Sequence, residues 1–195
     1  AQQSDIFIQI TRQERATIAL PDFRGSGQAQ DVMGAFNSTL FSELESSGLF
    51  RIVPKTMYPL QVPQQPDDFR EPLPPPTPPA RGAQPQPIRR GPWLTDWSQP
   101  PVSATYLAFG YSAAVEGRLV VRAWLFNVTQ PNVANAQIFG KMYFGSLDEE
   151  GARQTAREFA ADILQQFGFK SIIGSKIYFE SERGGVRELW SMDPD

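Results

Sequence analysis

Apolar and polar residues alternate from Asp5 to Ile10 (Asp5, Ile6, Phe7, Ile8, Gln9, Ile10), with Ile6, Ile8 and Ile10 on one side, and this spacing predicts a short strand at a sheet edge. Thr17 to Phe23 predicts a buried strand whose ladder stops near Pro21, because proline has no amide donor. Gly25-Ser26-Gly27 then turns the chain into a helix from about Ala29 to Ser47. Met33, Phe36, Leu40 and Leu44 recur at three or four residues and make one apolar stripe. Burying four such side chains gives a gross term of roughly 6–12 kcal/mol before entropy is charged. Gly48 stands where a left-handed C-terminal cap is needed, and Phe50 to Val53 predicts a second strand. Strand, helix and strand of this size make a βαβ unit.

From Tyr58 to Pro92 the pattern breaks. About a dozen of the chain's 18 prolines fall here, most densely from Pro72 to Pro79. Proline's fixed φ and missing donor bar the segment from a sheet or a helix interior, so a partly extended insertion with little fixed position is expected. Periodicity resumes with one helical turn at Trp93 to Trp97. Three strands follow, at Thr105–Glu116, Arg118–Asn127 and Ala136–Gly145, the first two joined at Gly117. Ser146 and Glu149 have the spacing of a capping box for a second helix, whose inner face is Ala152, Ala156, Phe159, Ile163 and Phe167 and whose stop is Gly168.

The last stretch, Ile177 to Asp195, reads as strand, Gly184-Gly185 turn, strand and polar turn. A two-stranded hairpin alone is marginal in water. It is therefore expected either to pack on what precedes it or, preferably, to open a further domain of which this chain carries only the start.

Composition narrows the chemistry. The 195 residues carry a net charge of -3, and nothing suggests the clustered basic face that nucleic acid requires. No run of about 18 apolar residues exists, so no membrane-spanning helix is expected. There is no Cys and no His, which removes thiol nucleophiles, Ser-His-Asp triads and Cys- or His-ligated zinc. No cofactor or metal site and no catalytic residue is expected. Ala1-Gln2-Gln3-Ser4 resembles the start of a mature chain after signal-peptide removal.

Few motifs invite a function. Asp22 with the Gly25-Ser26-Gly27 loop lies between a strand and a helix, where anion sites form, but the pattern is not G-x-G-x-x-G because Gln30 stands at the third position. A tight turn and an anion-binding loop both remain open there. Asp148-Glu149-Glu150 suits a helix N-terminus, where carboxylates offset the dipole. Pro72 to Pro79 reads as a spacer or as a ligand for an aromatic groove. Trp124, Phe126, Tyr143 and Phe144 read as core or sheet cover.

The order of pieces is more specific than any one of them. Ile18-Ala-Leu-Pro-Asp-Phe-Arg-Gly-Ser-Gly27, a helix ending in Glu45-Ser-Ser-Gly-Leu-Phe-Arg-Ile-Val53, a Trp before a strand ending in Leu107-Ala-Phe-Gly110, and a last helix leading to Gly174-Ser-Lys-Ile-Tyr-Phe179 together resemble the TolB family. The resemblance implies an α/β domain with two helices on one face of a mixed sheet of about five strands, spanning residues 1–172 with a Pro-rich insertion at 58–92. It implies that residues 173–195 are a linker and the first strands of a β-propeller. It further implies a non-catalytic, periplasmic adaptor of the Tol-Pal envelope system. The N-terminal domain would contact a TolA-like inner-membrane protein, and the propeller would bind a Pal-like lipoprotein. Asp5, Ile6, Phe7, Ile8 and Ile10 are the candidate partner-binding arm, able to add a strand to a partner sheet. The reading of a different class is a small-ligand or anion-binding domain that uses Asp22, Gly25, Ser26 and Gly27.

Overall fold

The computed structural model describes residues 15–70, 91–168, 177–181 and 188–192. The expected strand at Asp5–Ile10 lies outside them. The first strand, β1 (Ala16–Ala19), is shorter than its apolar run. Beyond Ala19 the backbone donors leave the ladder. Leu20 N–H donates to the Tyr58 hydroxyl (2.8 Å) and Phe23 N–H to Asn37 Oδ1 (2.9 Å). A short β2 (Arg24–Ser26) then pairs with a later strand, so Gly25 and Ser26 are ladder residues rather than a free loop. The helix expected from about Ala29 divides in two: a 3-10 segment at Gly27–Val32, then α1 (Met33–Ser46). No side chain caps the start of α1; Asn37 instead clamps both backbone groups of Phe23. Gly48 has φ +68, the left-handed value expected of a residue just past the C-terminus.

β3 (Phe50–Ile52) returns parallel to β1, Ala16 facing Phe50, which completes the βαβ unit. β4 (Tyr106–Val115) runs parallel to β1 and to β2. β5 (Arg118–Asn127) and β6 (Gln137–Ser146) are antiparallel to their neighbours. The sheet is therefore mixed, with six strands in the path β3-β1-β4-β5-β6 and β2 on β4. Glu116 (φ 50) and Gly117 (φ 74) make the two-residue turn between β4 and β5, with both residues left-handed.

The helix α4 (Glu149–Gln166) is capped two residues after the expected Ser146. Ser146 is still the last residue of β6, and the cap is Asp148, whose carboxylate accepts from Gly151 N–H (2.7 Å). Ser146 acts through it, donating to Asp148 Oδ1 at 2.8 Å. The Gly151 amide first, and Ser146 second, hold the Asp148 carboxyl below the usual carboxylate range. Two short helices, α2 (Thr95–Ser98) and α3 (Val133–Ala136), complete the set; α3 was not expected and is capped by the Asn132 side chain.

Strand alternation sorts the core into two layers. On one face Ala108, Leu119, Val121, Ala123, Leu125 and Tyr143 meet the stripes of α1 (Met33, Phe36, Leu40, Leu44) and α4 (Ala152, Ala156, Phe159, Ile163). On the other, Leu107, Phe109 and Phe126 meet Val53, Phe69, Leu94, Trp97 and Val102. This second layer corrects the expectation of a loosely placed insertion. Residues 58–70 are fixed because Tyr58, Val62 and Phe69 pack into this layer, with Phe69 5.6 Å from the Phe109 ring and 5.7 Å from Phe126. Arg70 N–H donates to Pro92 C=O (2.9 Å), which ties residues 58–70 to the segment that begins at Gly91. Residues 71–90, including Pro72 to Pro79, lie outside the described residues.

β7 (Ile177–Ser181) and β8 (Glu188–Met192) form a separate two-stranded antiparallel sheet. Their register, Ile177 opposite Met192 and Ser181 opposite Glu188, is centred between residues 184 and 185, the position of the expected Gly-Gly turn.

Tyr58 ties the exits of β1 and β3 together: its hydroxyl accepts from Leu20 N–H and donates to Val53 C=O, each at 2.8 Å. Burial pushes this phenol up to about 12 from 10.0. A folded-state pKa above the unfolded one gives stability that is complete below the unfolded value and is lost as pH rises through the folded one. The midpoint of thermal unfolding is thus expected to fall between about pH 10 and pH 12. Tyr143, also raised by burial and then by its hydrogen bond to Asp162, adds in the same direction. A Tyr58→Phe variant, followed by circular dichroism across that range, should show a shallower fall; an unchanged slope would remove Tyr58 as its cause.

Candidate functional site

Among the described residues, the second face of the sheet is covered over one half only. Over β1, the first half of β4 and the end of β5 (Ala19, Leu107, Phe109, Phe126) lie the plugs just described; the rest, toward β6, has no cover among the described residues. Antiparallel register sets its rows: Val120 beside Phe144, Arg122 between Tyr111 and Met142, Trp124 beside Gly140. Phe144 is 53% exposed, Met142 46% and Ile138 37%, and Val115 at the rim is 50%. Trp124 is half-buried, its ring 5.8 Å from Phe109 and 6.1 Å from Tyr111, so the aromatic row of the covered half continues into the open half. The Arg122 guanidinium lies 6.0 Å from the centre of the Tyr111 ring. An apolar patch on a sheet face beside a free edge is the mark of a docking surface.

The aromatics read as cover thus divide. Phe126 and Tyr143 are buried, on opposite faces, Trp124 is half-buried, and Phe144 is uncovered, which corrects its expected role. The patch was missed because β6 is apolar on both faces (Phe139 and Tyr143 on one, Ile138, Met142 and Phe144 on the other), a pattern that reads as a buried strand when its place at the edge is unknown.

A second concavity lies beyond the C-terminal ends of β1 and β3, alongside α1. It has a volume of about 750 Å³ and is bordered by Asp22, Asn37, Phe41, Ile52, Pro54 and Lys55. Asp22 forms an ion pair with Lys55, both half-exposed, a partner 33 positions away that no local pattern could supply. The Gly25 amide, the donor an anion would need, is taken by Gln30 Oε1 at 2.8 Å. A Cβ on Gly25 would collide with the Gln30 amide nitrogen and lie 2.5 Å from Ala29 C, so the glycine is required by close backbone packing. Gly27, with φ +57, has open space around it. Ser26 Oγ points to Ser112 C=O at 3.5 Å. The structure therefore brings Asp22 to Lys55 and ties Gly25 to Gln30; an anion at this loop would have to displace the Gln30 side chain. Among the described residues no group of three or more acidic side chains is arranged to hold a metal ion, and no helix is long and apolar enough to cross a membrane. Asp5, Ile6, Phe7, Ile8 and Ile10 lie outside the described residues.

No protein-family model matches the chain. A protein described as a TolB homolog from Chlorobium chlorochromatii is 30% identical over 95 residues, which is 48% of this chain and 20% of that protein. Among solved structures, TolB from Acinetobacter baumannii aligns with a TM-score of 0.55 at 12% identity, over 92% of this chain and 37% of that one. A PelC dodecamer from Paraburkholderia phytofirmans aligns with a TM-score of 0.37 at 13% identity, over 77% of this chain and 84% of that one, too distant to bear on the fold. The chain spans a fifth of the length of its curated relative and just over a third of the solved one.

Proposed function

We propose that this chain, a relative of the TolB family, is a non-catalytic adaptor domain of a Tol-Pal envelope system, working in the periplasm through protein–protein contacts. The observation that carries this reading is agreement at two levels: 30% identity to a TolB homolog over about half the chain, and a fold shared with a solved TolB over nearly all of it. In this reading residues 1–172 are the adaptor domain, and 173–195 lead into a propeller whose first strands are β7 and β8. A TolA-like protein is the partner of the adaptor domain; a Pal-like lipoprotein is the partner of the propeller. The chain's want of Cys and His agrees with a role that needs no nucleophile or zinc.

The proposed contact with the TolA-like partner runs through Asp5, Ile6, Phe7, Ile8 and Ile10, whose alternation suits addition of a strand to a partner sheet. The test is calorimetric titration of the chain with the C-terminal domain of its own organism's TolA-type protein. Saturable binding that disappears when residues 1–10 are deleted is the expected result. Binding that survives the deletion would discard the arm, and no binding by the intact chain would discard the adaptor reading.

A further inference from the structure

We propose that β6 is a self-recognition edge, along which two copies of this chain pair antiparallel about a two-fold axis at Met142. The inference goes beyond the envelope role and does not depend on it.

β6 is ten residues long and contains no proline, and β5 is its only ladder partner among the described residues. Proteins usually blunt such an edge with charge, proline or a short strand. Here the single charge is Lys141, which points to the helix-covered face, stays half-exposed and pairs with Asp162 at 2.7 Å. The other face presents Ile138, Met142 and Phe144, each more than a third exposed.

The register follows from three constraints. Side chains alternate between faces, so a symmetric pair keeps both apolar sets together only when even-numbered residues face even-numbered ones. Two such registers overlap nearly all of 137–146, one centred on Lys141 and one on Met142. The first sets Lys141 against its own copy, and like charges directly opposite destabilise a pair. The second sets Lys141 against Tyr143, Met142 against Met142, and Phe144 of the second copy against Gly140. Gly140 is the one position on the exposed face of β6 without a side chain, and the Trp124 indole lies over it: a Cβ at 140 would overlap Trp124 Cδ1 and Nε1. Phe144 of the second copy would enter beside that glycine and meet the edge of the indole, the arrangement by which an aromatic residue compensates a cross-strand glycine. Only this register keeps the two lysines apart and also sets an aromatic ring against Gly140.

The chain has no cysteine, so a single introduced thiol reports the contact cleanly. Sedimentation velocity of the full chain, from low micromolar to several hundred micromolar, is expected to show a growing dimer, abolished by Phe144→Lys with its circular dichroism unchanged. Directly opposite residues in an antiparallel pair bring their Cα atoms within disulfide span. Under mild oxidation Met142→Cys should therefore cross-link about tenfold faster than Phe144→Cys, whose thiol would face Gly140. A chain that stays monomeric throughout, whether because its own Pro-rich segment or a different protein covers the patch, overturns the proposal. So does a dimer in which the two thiol variants oxidise at equal rates.

Discussion

Replacing Phe159 by alanine is expected to cost about 3–5 kcal/mol, a large part of the roughly 5–15 kcal/mol that holds a domain together. Phe159 is fully buried on α4, and three rings converge on it: Phe23 at 5.8 Å, Tyr143 at 5.7 Å and Phe139 at 6.0 Å. They come from the loop after β1 and from β6, so the side chain joins elements distant in sequence. Two of the three cannot collapse into the vacated space at small cost. Phe23 is held by Asn37 through its own backbone, and Tyr143 is fixed by a 2.6 Å hydrogen bond to Asp162 on the same helix. The cavity should therefore remain and add to the lost transfer energy. In a domain of this size the loss lowers the thermal midpoint by roughly 6–20 °C. Phe159→Leu, which keeps most of the volume, should lose markedly less. Urea unfolding checks both. A Phe159→Ala variant within about 1 kcal/mol of the parent would mean that α4 is not docked as described.

That junction marks the boundary of what the chain's pattern could reveal. The stripe on α4, Ala152, Ala156, Phe159 and Ile163, was readable because each residue repeats a local period, and β5 was readable to its ends because Glu116-Gly117 fixes the turn and the alternation fixes the strand. What repeats is legible; what meets is not. Asn37 bonding Phe23, Tyr58 bridging Leu20 and Val53, and Asp22 pairing with Lys55 each join residues whose separation carries no signal. Residues 58–70 are ordered against their proline content for a related reason. Proline content sets what backbone cannot form, but the position of that stretch is decided by Phe69, which meets Phe109 and Phe126 on strands far along the chain, and by Tyr58, held by Leu20 and Val53 behind it and by the Trp97 ring ahead of it. The same blindness hid the open patch, since exposure of Met142 and Phe144 depends on β6 being last in the sheet, which strand order alone determines. As for the candidate site, Gly25 and Ser26 belong to β2 rather than to a loop, and the Gly25 donor is engaged by Gln30, a side chain whose direction no spacing rule specifies.

Gly110→Ala is expected to be as damaging as loss of the Phe159 ring, although it only adds one carbon. Gly110 sits in the centre of β4, facing Ala123 of β5, on the side covered by the helices. A Cβ there would collide with the Arg122 carbonyl oxygen and lie 2.5 Å from Phe23 Cε1. The second obstacle is a ring, but one packed 4.9 Å from Phe36 and 5.8 Å from Phe159, so it has nowhere to swing. The first is backbone within the β4–β5 ladder and can retreat only by opening it. Overpacking in a core costs about 1–3 kcal/mol and more where nothing yields, so a loss of about 3 kcal/mol or above is expected here. The same substitution at Gly34 supplies the control. That residue is exposed on α1, its added Cβ would meet nothing within 4 Å, and alanine is the better helix former by up to about 1 kcal/mol. Gly34→Ala should therefore raise the urea midpoint while Gly110→Ala lowers it. Shrinking the obstructing ring with Phe23→Leu should make the cost of Gly110→Ala smaller, because the two sites share one clash and their effects cannot add. It should not abolish the cost, since the Arg122 carbonyl remains. Full additivity of the two substitutions would show that the Phe23 ring does not rest on Gly110, and would take with it the packing proposed for the centre of this sheet.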